Sequence, residues 1–301
     1  LPLYGQYLIN KENYQKLKKT DEIIFTNQKT AFSMLPMLIF IKLTKNIQSH
    51  VFIMGLFGKT MKYRIKHFFR EIFIKILIRS SKNLIFLGLG EYQFAVKKYP
   101  KHKNKFVFLS FSIDTKFWSS SELKVENNNI AFIGNDGMRD YEFLEELIVS
   151  LPEYNFSVVS NKFNSTANIQ NLELFKGDWG KYTYNDSFIR EIYKKSSLTV
   201  LPIKNTYQPS GQSVTLQSMS VGTPVMITKT EGFWDPINFI NNKNIHLIEK
   251  NEVEVWKQNI NRFFEEKKEM EKVKIEGIEL VSEKFNLNYF NHKLEEIIFK
   301  K

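Results

Sequence analysis

A polar turn follows the apolar run at residues 130–133. It contains Gly134, Asn135 and Asp136, and Arg139 comes three residues later. Ligands of doubly wound α/β sheets bind at the carboxyl ends of strands, where helix N-termini converge. Gly134 would let a ligand approach the backbone, Asn135 would donate hydrogen bonds to it, and Arg139 would clamp a diphosphate. The turn lacks a complete GxGxxG pattern, so a dinucleotide site is not indicated, and an Arg139 on a solvated helix face is the alternative.

A second polar turn precedes a helix in the second half of the chain. Its residues are Ser210, Gly211, Gln212 and Ser213. The apolar spacing predicts a helix that ends at Gly222, and Pro224 prevents it from resuming before the strand at 225–227. Unpaired N–H groups at the start of such a helix bind anions or sugar hydroxyls. An ordinary capped helix followed by a strand is the alternative interpretation.

Three further segments contain candidate ligand contacts. Gly177 and Asp178 lie with Trp179 in a loop where a flat base would pack against backbone amides. Lys204 follows a predicted strand and is a weaker candidate than the arginine for balancing the charge of a diphosphate. Asn27 follows the first predicted strand and is expected to contact an acceptor.

Apolar runs of strand length alternate with helical patterns along the chain. This order predicts parallel sheets with helices on both faces. A polar stretch at 112–128 separates two such alternations, so two Rossmann-like domains are the economical interpretation of 301 residues. The predicted domains are 1–120 and 121–285, and a C-terminal helix at 286–301 is expected to pack back toward the first domain.

The composition excludes several kinds of chemistry. The chain contains no cysteine, so disulfides, thiolate catalysis and cysteine-bound metals are impossible. It has no Asp-x-Asp motif and no His, Asp or Glu cluster at metal-ligand spacing, so no metal is expected. The longest apolar run, residues 31–41, is too short to cross a bilayer. The histidines are predicted to lie at the surface, and none is a candidate catalytic base: His50, His67, His102, His246 and His292.

The net charge is distributed unevenly. Residues 1–125 contain 22 Lys and Arg against 7 Asp and Glu, a net charge of +15, whereas the remaining residues carry −4. This asymmetry favours an anionic partner for the first domain over the alternative, the codon bias of an AT-rich genome, which should enrich Lys in both halves. Nucleic acid is not the predicted partner, because no nucleic-acid-binding motif accompanies the charge.

A basic amphipathic helix at 59–82 has two interpretations. It packs an apolar stripe that includes Phe68, Phe69 and Ile72 on the first sheet, or it also contacts an anionic membrane surface. In the second case the contact is made by its basic side chains, which are Lys62, Lys66, Arg70 and Lys75.

The segment 216–225 reads LQSMSVGTPV and is similar to the signature LEAMACGTPV of a known family. Further segments match that family in the same order: 112–118, 132–135 with 139–141, 175–177, 191–202 and 281–298. Together these segments resemble the retaining family-four glycosyltransferases, which have the GT-B fold.

The resemblance implies an α/β GT-B architecture in which two Rossmann-like domains face a central cleft. It implies metal-independent transfer of a sugar, with retention, from a nucleotide diphosphate sugar to a glycan or lipid-linked acceptor. The donor is a substrate, and no cofactor is expected. Arg139 and Lys204 would stabilise the leaving group, while the polar turns and Asn27 would bind donor and acceptor. Such an enzyme would be cytoplasmic or peripheral at the inner membrane face.

Two departures from the family pattern leave alternatives open. The family usually has two acidic residues eight positions apart, and Pro209 and Gln217 occupy these positions here. Gln217 can hydrogen-bond ribose hydroxyls but supplies no charge. The glycine-rich loop that often precedes the acceptor site is not present, so the N-terminal domain is expected to be truncated. The alternatives are a degenerate GT-B module that binds nucleotide or a partner without turnover, and a sugar-nucleotide epimerase.

Overall fold

The chain divides into two compact units. The computed structural model describes residues 4–58, 64–119, 128–165, 168–177 and 184–299. Unit 1 comprises Leu1–Ser110, Tyr207–Pro209 and Lys293–Lys301, and unit 2 comprises Phe111–Thr206 and Ser210–His292. The first boundary lies at Ser110, whereas the sequence places it at 120. Residues 120–127 of the predicted linker lie outside the described residues.

Unit 1 is a parallel α/β unit. Its described elements are α1 (Gly5–Leu8), α2 (Lys11–Lys18), β1 (Glu22–Phe25), α3 (Gln28–Lys42), β2 (Gln48–Ile53), α4 (Arg64–Ser80), β3 (Asn83–Phe86), α5 (Leu89–Lys98), a 3-10 helix (Pro100–Lys105) and β4 (Phe106–Phe108). The strands form one sheet in the order β1-β2-β3-β4. Strands β2 and β3 are almost wholly buried, as expected where helices cover both faces of a parallel sheet.

Unit 2 repeats this principle with a larger sheet. Its described elements are β5 (Asn129–Ile133), α6 (Tyr141–Val149), β6 (Asn155–Val159), β7 (Leu172–Phe175), α7 (Asp186–Lys194), β8 (Leu198–Leu201), α8 (Gln212–Val221), β9 (Val225–Thr228), β10 (His246–Ile248), α9 (Val253–Glu265), α10 (Lys267–Lys284) and α11 (Leu287–Phe299). The strands are parallel, in the order β10-β9-β8-β5-β6-β7. The predicted α/β class with two Rossmann-like sheets is therefore confirmed.

The last helix, α11, contributes residues to both units. From Lys293 onward it belongs to unit 1, where the Asn83 side chain donates to the carbonyl of Ile297 at 3.2 Å. No helix among the described residues is both long enough and apolar enough to cross a bilayer.

One element prediction is wrong, and one element was not predicted. The sequence pattern after Asp136 predicts a helix at 139–149, but α6 begins only at Tyr141, because Asp136 accepts the N–H groups of Met138 and Arg139 and so closes a turn instead. Arg139 is therefore not on a helix, and it forms an isolated antiparallel bridge with Ile203. Strand β10 was not predicted, because three residues are too few to show a periodic pattern.

Two histidines lie in the core, so the prediction of surface histidines is wrong for them. His50 on β2 is fully buried, and its Nε2 lies 2.7 Å from Glu22 Oε2. His246 on β10 is 6% exposed, and burial, with the nearby charge of Arg262, lowers its pKa to about 4. Gln48 and Ser49 precede His50, and the polar run Asn241 to Asn244 lies shortly before His246, which is why their segments resemble solvated ones. The His67 side chain lies outside the described part of the structure.

A buried glutamate anchors the turn that follows β2. Glu91 on α5 is fully buried, and its carboxylate accepts the N–H groups of Gly55 and Phe57, each at 2.8 Å. Gln28 holds the preceding residue, since its side-chain amide donates to the carbonyl of Met54 and accepts from the Met54 N–H. Gly55 has φ of +77°, a conformation that favours glycine. Burial raises the pKa of Glu91 to about 7, although the backbone donors oppose this shift.

The raised pKa of Glu91 predicts a pH-dependent stability. Between the ordinary pKa of 4.5 and the folded value of about 7, the folded chain keeps a proton that the unfolded chain has lost. The free energy of unfolding should therefore fall by about 3 kcal/mol as pH rises through this window and level off above it. Urea unfolding followed by circular dichroism, at pH 5 and pH 8, measures the change.

Glu91→Gln should remove this component of the pH dependence, whereas Glu12→Gln, which changes an exposed glutamate on α2, should keep it. The same pH dependence in the wild type and in Glu91→Gln would contradict the assignment.

Candidate functional site

The strand order of unit 2 reverses between β5 and β8. In a parallel sheet this switch point leaves a crevice at the carboxyl ends of the two strands, where ligands bind. Gly134 follows β5 directly. Further along, residues 138–140 pair with residues 202–204, which follow β8. The Asp140 N–H donates to the Pro202 carbonyl, and the Lys204 N–H donates to the Met138 carbonyl. Helix α8 begins at the same edge after Gly211, so its N-terminus lies at the crevice.

Arg139 is the central residue of this site. It is only 3% exposed. Its Nη1 donates to Ser210 Oγ at 2.8 Å and lies 3.3 Å from Asp136 Oδ2. Ser210 in turn donates its hydroxyl proton to Asp136 Oδ2 at 2.6 Å. The three side chains form a closed network that fixes the guanidinium, and the carboxylate balances its charge.

Two glycines make room for the guanidinium. A Cβ built on Gly134 would collide with Arg139 Nε, so a side chain there would have to displace the arginine. Gly211 has φ of +87°, and a Cβ on it would lie 2.9 Å from Ile227 and 3.4 Å from Arg139 Nη1. The side of Gly134 that the sequence assigned to an approaching ligand is therefore occupied by Arg139.

The Nε–H of Arg139 is buried and has no hydrogen-bond partner within the described part of the chain. A buried N–H without an acceptor is uncommon, and it normally has a water, an ion or a ligand as its partner. The guanidinium thus has a free donor beside the positive end of the α8 helix dipole. An anion is the ligand that this combination favours.

Asn135 has a role within the protein. Its Oδ1 accepts the Asn161 N–H at 2.6 Å and the Ser160 hydroxyl at 3.2 Å, and its Nδ2 donates to the Gly177 carbonyl at 3.4 Å. These contacts tie together the carboxyl ends of β5, β6 and β7. Gly177 thereby joins the same edge, while Asp178 and Trp179 lie outside the described residues.

The structure separates Lys204 from the Arg139 network. The Lys204 ammonium lies 3.7 Å from Asp140 and 3.9 Å from Glu142, and its side chain is 48% exposed. Two carboxylates partly neutralise its charge. Lys204 is therefore less available to a ligand than its position just after β8 in the sequence indicates.

The remaining predicted residues lie on two elements, α8 and the start of α3. Gln212 is buried and Ser213 exposed in the first turn of α8. Gln217, further along α8, is half-buried and accepts the hydroxyl of Tyr193 at 3.4 Å. Asn27 belongs to unit 1, where its side chain accepts the Thr30 N–H and caps α3.

Two residues of the site were not predicted from the sequence. The Tyr141 hydroxyl lies 3.2 Å from the carbonyl of Gly134 and 3.0 Å from that of Asp136, so its single proton can be donated to either, and burial raises its pKa. Ser160 accepts the N–H groups of Lys162 and Phe163 while bonding Asn135. Ser160 directly follows β6, so its position after an apolar run could have identified it.

No group of three or more metal-ligating side chains occurs among the described residues. The groups that the structure brings together at this edge are one guanidinium, one helix N-terminus and one balancing carboxylate.

The clash between Gly134 and Arg139 gives a test of the site's construction. Gly134→Ala should destabilise unit 2 by about 1–3 kcal/mol, because the added methyl group displaces the guanidinium. In the Arg139→Ala background the same methyl group has room, so its effect should nearly vanish. Thermal unfolding followed by tryptophan fluorescence measures both effects, since all four tryptophans lie between residues 118 and 256.

Gly137→Ala is the matched control. A Cβ on Gly137 meets only the end of the Lys162 side chain at 3.9 Å, so this change should be tolerated. Additive effects of Gly134→Ala and Arg139→Ala would contradict the described packing.

No protein-family model matches the chain, and no curated protein matches its sequence. Solved structures match its fold over nearly its whole length. One is sucrose-phosphate synthase from Thermosynechococcus elongatus, with 12% identity and a TM-score of 0.76 over 97% of this chain and 76% of that chain. Another is the Anabaena protein HepE in complex with UDP and glucose, with 13% identity and a TM-score of 0.72 over 95% and 79% of the two chains. A glycosyltransferase from Rickettsia africae ESF-5 has 16% identity and a TM-score of 0.73 over 99% and 82%.

At such low identities these likenesses establish the fold. The two parallel sheets, their order along the chain and the full-length match agree with one architecture. The predicted resemblance is confirmed at this level: the chain has the GT-B fold of these glycosyltransferases.

Proposed function

We propose that this chain is a glycosyltransferase that moves a sugar from a nucleotide diphosphate sugar to a glycan or lipid-linked acceptor. The observation that carries the proposal is the buried Arg139, whose Nε–H lacks an acceptor among the described residues at the switch point of a GT-B fold. The structural neighbours support the class, since one of them, HepE, is in complex with UDP and glucose.

The proposed chemistry is stabilisation of the departing diphosphate. Breaking the bond between sugar and phosphate places negative charge on the leaving group. Arg139 and the N–H groups at the start of α8 would oppose that charge with fixed donors in a buried site. Asp136 and Ser210 hold the guanidinium in position before the donor arrives, so little reorganisation is needed. This arrangement supports a reaction in which no metal ion is required.

Contacts to other parts of the donor are proposed from the positions of residues in the structure. Gln217 lies on α8 and uses its Oε1 for Tyr193, so its side-chain nitrogen is the donor proposed for a ribose hydroxyl. Gly177 lies at the end of β7 and, with Asp178, is proposed to contact the base. Lys204 is proposed as a secondary cation at the rim, where its exposure allows it to turn toward a ligand.

The finer features of the proposal depend on the resemblance in sequence. Retention of the anomeric configuration and a lipid-linked acceptor follow from the family that the segments resemble. Asn27 is proposed on the acceptor side, because its amide nitrogen is available while its oxygen caps α3. The charge of +15 on residues 1–125 supports a location at the inner membrane face.

A degenerate GT-B module is the second candidate. It is favoured by Gln217 in place of an acidic residue and by Asp136, which already balances the charge of Arg139. The epimerase receives no comparable support. It needs a histidine at the ligand-binding ends of the strands, whereas the buried His50 and His246 lie toward the opposite ends of theirs.

Removing the guanidinium should abolish turnover. Arg139→Met should slow release of sugar from UDP- and GDP-sugars at least 100-fold, because electrostatic stabilisation of this kind contributes about 10²–10³ to rate. Phosphorus NMR of the donor measures the rate, and circular dichroism checks the fold. Arg262→Met is the control, since Arg262 is an exposed arginine of the same unit.

Equal turnover in the wild type and Arg139→Met would overturn the assignment. Nucleotide binding by the wild type without any sugar release would instead establish the degenerate module, and no binding of UDP or GDP would exclude both candidates.

Gln217 separates the two candidates further. Gln217→Leu should weaken UDP or GDP binding about tenfold, because one hydrogen bond to ribose is lost, whereas Gln217→Glu should keep it. Calorimetric titration measures both affinities. Unchanged affinity in Gln217→Leu would show that α8 makes no ribose contact through this residue.

A further inference from the structure

Helix α4 in unit 1 has two apolar faces. Its inner face packs Ile74, Leu77 and Ile78 into the core, each at 0–1% exposure. Its outer face exposes four large apolar side chains: Phe68 (63%), Phe69 (55%), Ile72 (38%) and Phe73 (50%). These four positions span roughly 140° around the helix axis. An exposed apolar face of this kind on an otherwise charged unit marks an interaction site.

This arrangement reverses the expectation from the sequence. Phe68, Phe69 and Ile72 do not pack on the sheet, so that prediction is wrong. Arg70 points inward instead of outward, because its guanidinium donates to the Leu56 carbonyl. Lys62 and the Lys66 side chain lie outside the described residues.

Cations border the exposed apolar face. Lys75 and Arg79 are exposed and lie on the same side of α4, toward its C-terminal end. The neighbouring helix α3 packs against α4 and exposes further apolar side chains of its own: Ile39, Phe40 and Leu43. Aromatic residues combined with flanking Lys and Arg are the composition of helices that lie in the membrane interface.

We propose that the outer face of α4, with Phe68, Phe69, Ile72 and Phe73, docks on an anionic lipid surface. The phenylalanines insert at the boundary of headgroups and acyl chains, and Lys75 and Arg79 pair with the anionic headgroups. Each such cation near an anionic membrane adds about 1 kcal/mol of attraction. The net charge of +15 on residues 1–125 adds to this attraction over a longer range.

The positive charge of residues 1–125 and the exposed apolar side chains favour an anionic lipid surface over two other partners, a second copy of the chain and duplex nucleic acid. A second copy of the chain would bring two basic units together, which their mutual repulsion opposes. Duplex nucleic acid is contacted mainly at its phosphates by cations, and four exposed apolar side chains contribute nothing to that contact. The surface is defined by α4 alone, so the inference does not depend on the proposed transferase activity.

Vesicle flotation tests the proposal without an activity assay. The wild type should float with vesicles of phosphatidylcholine and phosphatidylglycerol. With vesicles of phosphatidylcholine alone it should remain in the bottom fraction of the gradient. The double variant Phe69→Ser, Phe73→Ser should partition at least tenfold less, because two buried phenyl groups are lost. The matched control Ile237→Ser, Ile240→Ser changes two exposed residues of unit 2 and should float like the wild type.

A charge reversal keeps the test decisive if the serine variant fails to fold by circular dichroism. Lys75→Glu with Arg79→Glu changes only exposed side chains and should abolish the preference for the anionic vesicles. The proposal is overturned if the wild type floats with neither vesicle, or if the control loses binding equally. It is also overturned if duplex DNA is bound in preference to vesicles, or if sedimentation shows a wild-type dimer that the phenylalanine variant disrupts.

Discussion

The burial of one guanidinium is the constraint on which unit 2 depends. Arg139 fits against Gly134 and Gly211 because neither residue has a side chain, and the left-handed φ of Gly211 starts α8 at that point. The arginine can be buried because Asp136 balances its charge and Ser210 bonds to both. A buried and unpaired charge would be strongly destabilising, so the burial of Arg139 depends on Asp136 and Ser210 together.

The same network shapes what the site can bind. Asp136 neutralises the arginine and therefore competes with any incoming anion, while the free Nε–H and the α8 N-terminus favour one. A ligand with two phosphates offers more acceptors than a single carboxylate and can use donors that Asp136 leaves unpaired. The proposed preference for a diphosphate over smaller anions rests on this competition.

Much of the architecture follows from sequence patterns alone. Continuous apolar runs such as 130–133 and 198–201 predicted buried parallel strands, and Gly222 and Pro224 predicted the end of α8. The glycine-bearing turns at 134 and 211 were also correctly expected to lie at strand ends and helix starts. These features are local, so the chemistry of a few neighbouring residues determines them.

Features that depend on distant partners could not be predicted in this way. The burial of Arg139 requires Ser210, 71 residues away, and that of His50 requires Glu22 and Asn83 on neighbouring strands. The solvent exposure of Phe68 and Phe69 could not be predicted for a related reason. When a helix has apolar residues on two faces, the sequence identifies those residues but does not indicate which face packs on the core.

The role of Arg139 is tested most directly by the NMR signal of its Nε–H, which is assigned by its loss in Arg139→Lys. If Arg139 binds the diphosphate, UDP or GDP should shift this signal downfield, because the buried donor gains a phosphate acceptor, whereas the nucleoside without phosphates should leave it in place. A nucleotide diphosphate that binds and shifts other signals while the Arg139 signal stays unchanged would contradict the central claim.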